Sequence, residues 1–197
     1  MSTPELGVYH ATIGVLNGTM TPAMVDVGFG VRVHAKLNLA VPGEKGLRPV
    51  RKWVTDRQGL VVVRVTGRAP IRTPAELVEG SAPYLYRVAD AHVVDGDTLD
   101  TRLDLGFGVH IDARMRLLGL NVAEKTTADG VEVAAWVREW VAGQLGHLTV
   151  QTVKDKREKY GRWLATVYGR SGLPSLNELL LAAGMAQPYD GGARAGA

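Results

Sequence analysis

Cysteine is absent from the 197-residue chain, which excludes disulfides, thiolate metal sites and a cysteine nucleophile. Long apolar runs are absent as well, none approaching the ~20 residues needed to span a membrane. The N-terminal stretch "MSTPELGVYH" lacks the basic patch and apolar core of a secretory signal, so cytoplasmic residence without a membrane partner is the expectation. Neither a Gly-rich phosphate loop nor a Ser/His/Asp arrangement can be found. The five histidines, His10, His34, His92, His110 and His147, show no paired ligand spacing. What is present is ordinary for a soluble globular protein: 46% hydrophobic and 22% charged residues, at a length suited to one large domain or two small ones.

The net charge of +3 is unevenly distributed. Residues 1–80 carry ten Lys/Arg against six Asp/Glu, whereas residues 81–197 carry thirteen against fourteen. A basic half beside a half with clustered acids suits a polyanion and a bound cation. Chance variation between two solvated segments would give the same figures.

The chain also resembles itself. "VDVGFGVRVHAKLNL" (Val25–Leu39) aligns without gaps on "LDLGFGVHIDARMRL" (Leu103–Leu117) at an offset of 78. That offset places "NGTM" (Asn17–Met20) on "DGDT" (Asp95–Thr98). "VRKWV" (Val50–Val54) resembles "VREWV" (Val137–Val141), with nine extra residues in the later copy. Self-similarity in fixed order argues for two related units, although two amphipathic hairpins could converge on the same pattern.

Both units read as β-rich. Apolar residues alternate in "YRVADAHVV", "TLDTRLDL", "VHIDARMRLLGL" and "LTVQTV", the two-residue period of half-buried strands. Gly106 and Gly108 fall where a strand needs a tight turn or bulge. "GVEVAAWVREWVAGQL" places Val133, Trp136, Val137 and Trp140 on one helical face. "SLNELLLAAGMA" carries a capping box, Ser175 with Glu178, and a C-terminal stop at Gly184. Strand, strand, strand, helix, strand, strand, helix fits an α+β fold, a small closed barrel of the oligonucleotide-binding type with helices packed around it. The expected organisation is a degenerate barrel over 1–70 lacking the C-terminal helix, a linker over 71–83, a second barrel domain over 84–190 and a flexible tail over 191–197.

The acids of "HVVDGDTLDTRL" (His92–Leu103) suit either a hairpin turn or a cation site. Four segments follow in order: "DGDT" (Asp95–Thr98), "RLLGLNVAE" (Arg116–Glu124), "KREKYGRWLATVY" (Lys156–Tyr168) and "LNELLLAAGMAQPY" (Leu176–Tyr189). In this order and spacing, residues 84–189 resemble the staphylococcal nuclease (thermonuclease) family. The resemblance implies calcium, or another divalent cation, held by Asp97, Asn121 and the backbone carbonyl near Val122. It implies Glu124 as the group that orients or deprotonates the attacking water, and Arg116 and Arg162 as phosphate-binding arginines. Lys159 and Tyr160 would contact substrate, as would Tyr189, whose match is looser. Hard cations prefer oxygen ligands, and a guanidinium fork can bond two phosphate oxygens at once. The activity implied is hydrolysis of DNA or RNA that leaves 3′-phosphate and 5′-hydroxyl ends.

Two departures stand out. Asn121 occupies the position of the family's second metal aspartate, which keeps an oxygen but removes a negative charge, so calcium is expected to bind more weakly. Ala123 replaces the usual proline before the glutamate. In the first unit Asp97 corresponds to Thr19 and Arg116 to Asn38, no "YGR" follows, and Glu44 stands alone. That copy is expected to be catalytically empty, with Lys36, Arg48, Arg51, Lys52 and Arg64 as candidate phosphate contacts. The alternative for the whole chain is a non-catalytic nucleic-acid-binding or assembly protein built on two barrels, for instance in a viral particle.

Overall fold

The computed structural model describes residues 6–14, 20–66, 73–79, 84–157 and 161–189. The chain divides at Leu85/Tyr86 into two compact units. Lys159, Tyr160 and the tail 191–197 lie outside the described residues.

The first unit runs β1 (Val8–Ile13), β2 (Met20–Gly28), β3 (Val31–Ala40), α1 (Leu47–Asp56), β4 (Leu60–Val65) and β5 (Thr73–Val78). These strands close into a barrel in the order β1-β2-β3-β5-β4, with β3 and β5 parallel. The second unit runs β6 (Leu85–Asp95), β7 (Thr98–Gly106), β8 (Val109–Leu117), β9 (Leu120–Asn121), α2 (Ala128–Gln144), β10 (Thr149–Arg157), β11 (Trp163–Tyr168), α3 (Leu176–Ala182) and β12 (Gln187–Pro188). Its barrel closes in the order β10-β11-β8-β7-β6, with β8 and β11 parallel. Numbered within its own unit, each barrel is joined 1-2-3-5-4 and back to 1, with a helix between its third and fourth strands. Both are compatible with the oligonucleotide-binding arrangement. Among the described residues no helix is long and apolar enough to cross a membrane.

Alternation builds both cores. Leu99, Thr101, Leu103 and Leu105 of β7 point inward, as do Met115 and Leu117 of β8 and Val150, Ala165 and Val167 of β10 and β11. In the first barrel Val25, Val27, Leu37, Leu39, Val61, Val63, Ala75 and Leu77 do the same. The two "GFG" hairpins share an unusual backbone. Gly28, Phe29 and Gly30 have φ of 82°, 56° and 74°, and Gly106, Phe107 and Gly108 have 84°, 53° and 76°. In each hairpin the first glycine's amide donates to the aspartate two residues before it, Gly28 to Asp26 at 3.0 Å and Gly106 to Asp104 at 2.8 Å. Glycine tolerates the left-handed region that this turn demands, and the expected bulge is present as a register shift at both places.

Two expectations are corrected. Residues 73–78, read as linker for their Pro and Thr content, form the fifth strand of the first barrel. Pro74 fits because it sits second in the strand, where only its carbonyl is needed, accepting from the Thr66 amide at 3.0 Å. On α2 the buried stripe is Gly130, Val133, Ala134, Val137 and Val141. Trp136 and Trp140 flank it half-buried, because the helix turns its small residues to the barrel and leaves the indoles at the edge.

The final helix follows its signals closely. The Ser175 hydroxyl accepts from the Glu178 amide at 3.2 Å, and the Glu178 carboxylate accepts from the Ser175 amide at 2.7 Å. Gly184 (φ 71°) closes the other end, its amide donating to the Leu181 carbonyl at 3.1 Å. Asn177, buried within this helix, donates to the carbonyls of Leu118 (2.9 Å) and Ala165 (3.1 Å) and accepts from the Val167 amide (3.1 Å). It thereby ties α3 to β11 and to the turn after β8. Ser175→Ala should lower the stability of the second unit by about 1 kcal/mol, the usual cost of a lost N-cap. Urea unfolding followed by tryptophan fluorescence measures this, and an unchanged midpoint contradicts it.

Candidate functional site

The turn "DGDT" joins β6 to β7. Asp97 is only 4% exposed, unusual for a lone aspartate in a hairpin turn. Its amide donates to the Asp95 carboxylate at 3.2 Å and its carbonyl accepts from the Leu117 amide at 2.8 Å. The side chain is thus held beneath the end of β8, where Arg116 pairs across the ladder with Thr98.

Arg116 reaches in two directions. One terminal nitrogen, Nη1, lies 2.5 Å from Asp97 Oδ2. The other, Nη2, donates to Asn121 Oδ1 at 3.0 Å and lies 3.5 Å from the Leu120 carbonyl. Arg162, immediately before β11, donates to the Thr98 hydroxyl at 3.1 Å, and that hydroxyl donates in turn to Asp97 Oδ1 at 2.9 Å. Residues from four separated segments therefore form one chain of contacts: Arg162, Thr98, Asp97, Arg116 and Asn121. Two guanidinium groups, the Asp97 carboxylate and the neighbouring Asp95 carboxylate meet in this cluster.

Burial pushes the Asp97 carboxyl above the usual carboxylate range, while the Arg116 guanidinium and the Thr98 hydroxyl pull it back. A 2.5 Å ion pair and a raised pKa are compatible. Removing a carboxylate from water costs more than one partner returns, yet breaking such a pair is costlier still.

Two glycines let the neighbouring segments approach. A Cβ on Gly96 would lie 2.7 Å from Val133 Cγ1 and 3.1 Å from Val122 Cγ2, so the turn presses directly on α2 and on the loop after β9. A Cβ on Gly130 would lie 2.1 Å from the Glu124 carbonyl oxygen and 2.8 Å from that of Ala123. The loop carrying Glu124 is laid against the first turn of α2 and fastened there. Thr127, the N-cap of α2, accepts from the Gly130 amide at 3.1 Å, and its hydroxyl donates to the Glu124 carbonyl at 2.8 Å. The Glu124 side chain itself is exposed, three residues beyond Asn121.

Of the residues singled out from sequence, Asp97, Arg116, Asn121 and Arg162 are brought together. Glu124 and Val122 stand on the adjoining loop, Val122 with its side chain against Gly96. Tyr189 follows β12, which pairs with β9, and its amide donates to the Gly119 carbonyl at 3.0 Å, so its backbone borders the same turn. Gly96, Gly130 and Asn177 carry no role in the sequence reading, and Thr98 has none there beyond its place in the turn. Thr98 stood within the quoted turn and Asn177 interrupts an apolar run, which were usable signals. Gly130 shows nothing distinctive in its own sequence context.

The donor set fits a calcium ion poorly. Calcium takes six to eight oxygens, and the two side-chain oxygens expected to hold it face a single guanidinium instead. Asn121 contributes no charge.

The first unit's candidate cations are spread over separate elements. Lys36 is exposed on β3, and Arg48, Arg51 and Lys52 are exposed on α1. Lys52 pairs with Asp56 at 2.6 Å and Arg64 with Glu76 at 3.6 Å. Glu44 is exposed in the loop before α1. No protein-family model matches the chain, and no curated protein matches its sequence.

Two predictions follow from this geometry. In an ordinary helix Gly→Ala gains about 1 kcal/mol, but Gly130→Ala should destabilise, since the added methyl meets backbone. A raised unfolding midpoint would show that the loop is not clamped. For Asp97, a folded pKa above the unfolded value near 3.8 means that the folded state binds the proton more tightly. The stability of the wild type relative to Asp97→Asn should therefore fall as pH rises through 3.8 towards the folded pKa, then level off. Unfolding free energies measured across that range check the sign, and a difference that grows with pH would mean that Arg116 outweighs burial.

Proposed function

We propose that the second unit binds the phosphodiester backbone of DNA or RNA and hydrolyses it in the manner of the thermonuclease family. The observation that carries this reading is the anchoring of two guanidinium groups, one from β8 and one from the residue before β11, on the adjacent residues Asp97 and Thr98. Two guanidinium groups gathered in one cluster on an oligonucleotide-binding type of barrel suit a phosphate. Arg162 would share the charge that develops on phosphorus, a contribution worth about 3–4 kcal/mol for one such donor. Glu124, exposed beside the cluster, is the group to take a proton from water as the oxygen attacks phosphorus. The bond from phosphorus to the 5′-oxygen breaks and that oxygen takes a proton from solvent, leaving a 3′-phosphate and a 5′-hydroxyl. No step here is assigned to a metal.

Binding without cleavage is the second reading. It is favoured by the engagement of Arg116 with both side chains that the family would give to its metal. For the first unit, the shared strand order and the matching "GFG" hairpins support a repeated barrel that keeps the scaffold and offers α1 as an auxiliary basic surface.

The test uses the full-length chain with end-labelled single-stranded DNA and RNA, with calcium or with chelator. Glu124→Gln should reduce cleavage by about 10²–10⁴-fold while leaving binding intact. Arg162→Ala should weaken both. Binding that depends on Arg162 with no cleavage by the wild type selects the second reading. Neither binding nor cleavage overturns both.

A further inference from the structure

We infer that the Arg116 guanidinium is the resident cation of this site, standing between Asp97 and Asn121, and that a divalent ion can enter only by displacing it. The inference concerns the same cluster as the proposed function and rests on its geometry rather than on cleavage. Three observations lead to it. The contacts of Nη1 with Asp97 and of Nη2 with Asn121 use both oxygens from a single planar group. The arginine side chain is only 12% exposed and the aspartate's 6%, so the pair is enclosed rather than resting on the surface. The second oxygen belongs to an amide, which hydrogen-bonds a guanidinium well and brings no charge of its own for a divalent ion.

The charges favour the same conclusion. A divalent ion beside an enclosed guanidinium meets its repulsion. Moving Arg116 outward would first break its contact with Asp97, leaving that buried carboxylate dependent on the incoming ion. Arg116 therefore supplies the positive charge of the cluster from within the chain.

Calcium chloride alone, added to the full-length protein without nucleic acid, tests this by calorimetric titration and by thermal unfolding. A ligand that binds the folded state raises the unfolding temperature. The wild type should show no calcium-dependent rise at millimolar calcium. Arg116→Gln, which keeps donors for Asp97 and Asn121 but removes the charge, should gain calcium affinity by at least about tenfold, and adding Asp97→Asn should abolish that gain. Asn121→Asp, with Arg116 in place, should show no gain, because the guanidinium then has two carboxylates to hold. Tight calcium binding by the wild type, equal affinity in the wild type and a folded Arg116→Gln, or a large gain in Asn121→Asp overturns the inference. Should Arg116→Gln fail to fold, the wild type and Asn121→Asp still decide it. Nucleic acid takes no part in these measurements, so a chain that never cleaves can still pass, and one that cleaves can still fail.

Discussion

A carboxylate buried in a hairpin turn must find a positive partner or become neutral, and this constraint organises the second unit. Asp97 finds Arg116 across the β7/β8 ladder, and Thr98 recruits Arg162 to the other oxygen's side. The pair does not make the fold stable in the simple sense, because burial of Asp97 outweighs the attraction in setting its pKa. Its contribution is specificity of position. Once Asp97 is enclosed, Arg116 has little choice of direction, and through its second nitrogen it fixes Asn121 and hence the start of the loop that leads to Glu124.

Close packing does the rest. Gly96 and Gly130 bring the turn, the β9–α2 loop and the first turn of α2 within van der Waals reach. Behind them, Asn177 fastens α3 to β11 and to the turn after β8. The polar cluster thus sits on strand ends and helix starts that are themselves pinned, which is how side chains far apart in sequence keep one arrangement. The first barrel has the same strand order and "GFG" turn geometry, but the residue that aligns with Arg116 at the offset of 78 is Asn38, which is exposed.

Much of this was legible in the residues. The alternation of β7 and β8, the capping box at Ser175 and the stop at Gly184 act locally, so pattern reading finds them. The convergence of Asp97, Arg116, Asn121 and Arg162 was legible only through family resemblance, since no local rule joins residues up to 65 positions apart. What stayed hidden depends on three-dimensional approach. β5 was obscured by Pro74, tolerable only near a strand's beginning. The half-buried placing of Trp136 and Trp140 follows from which residues of α2 are small enough to meet the barrel. The engagement of both expected metal oxygens by one guanidinium was invisible, because a sequence gives residue types and not which of two cations a carboxylate will face.

A double-mutant cycle on Asp97 and Arg116 tests the central claim most directly, with Asp97→Asn, Arg116→Gln and the pair together measured by urea unfolding at neutral pH. The account predicts a coupling free energy of at least about 1 kcal/mol, as found for groups sharing one buried network. Additive effects of the two substitutions would contradict it, since the carboxylate and the guanidinium would then be neighbours without holding each other.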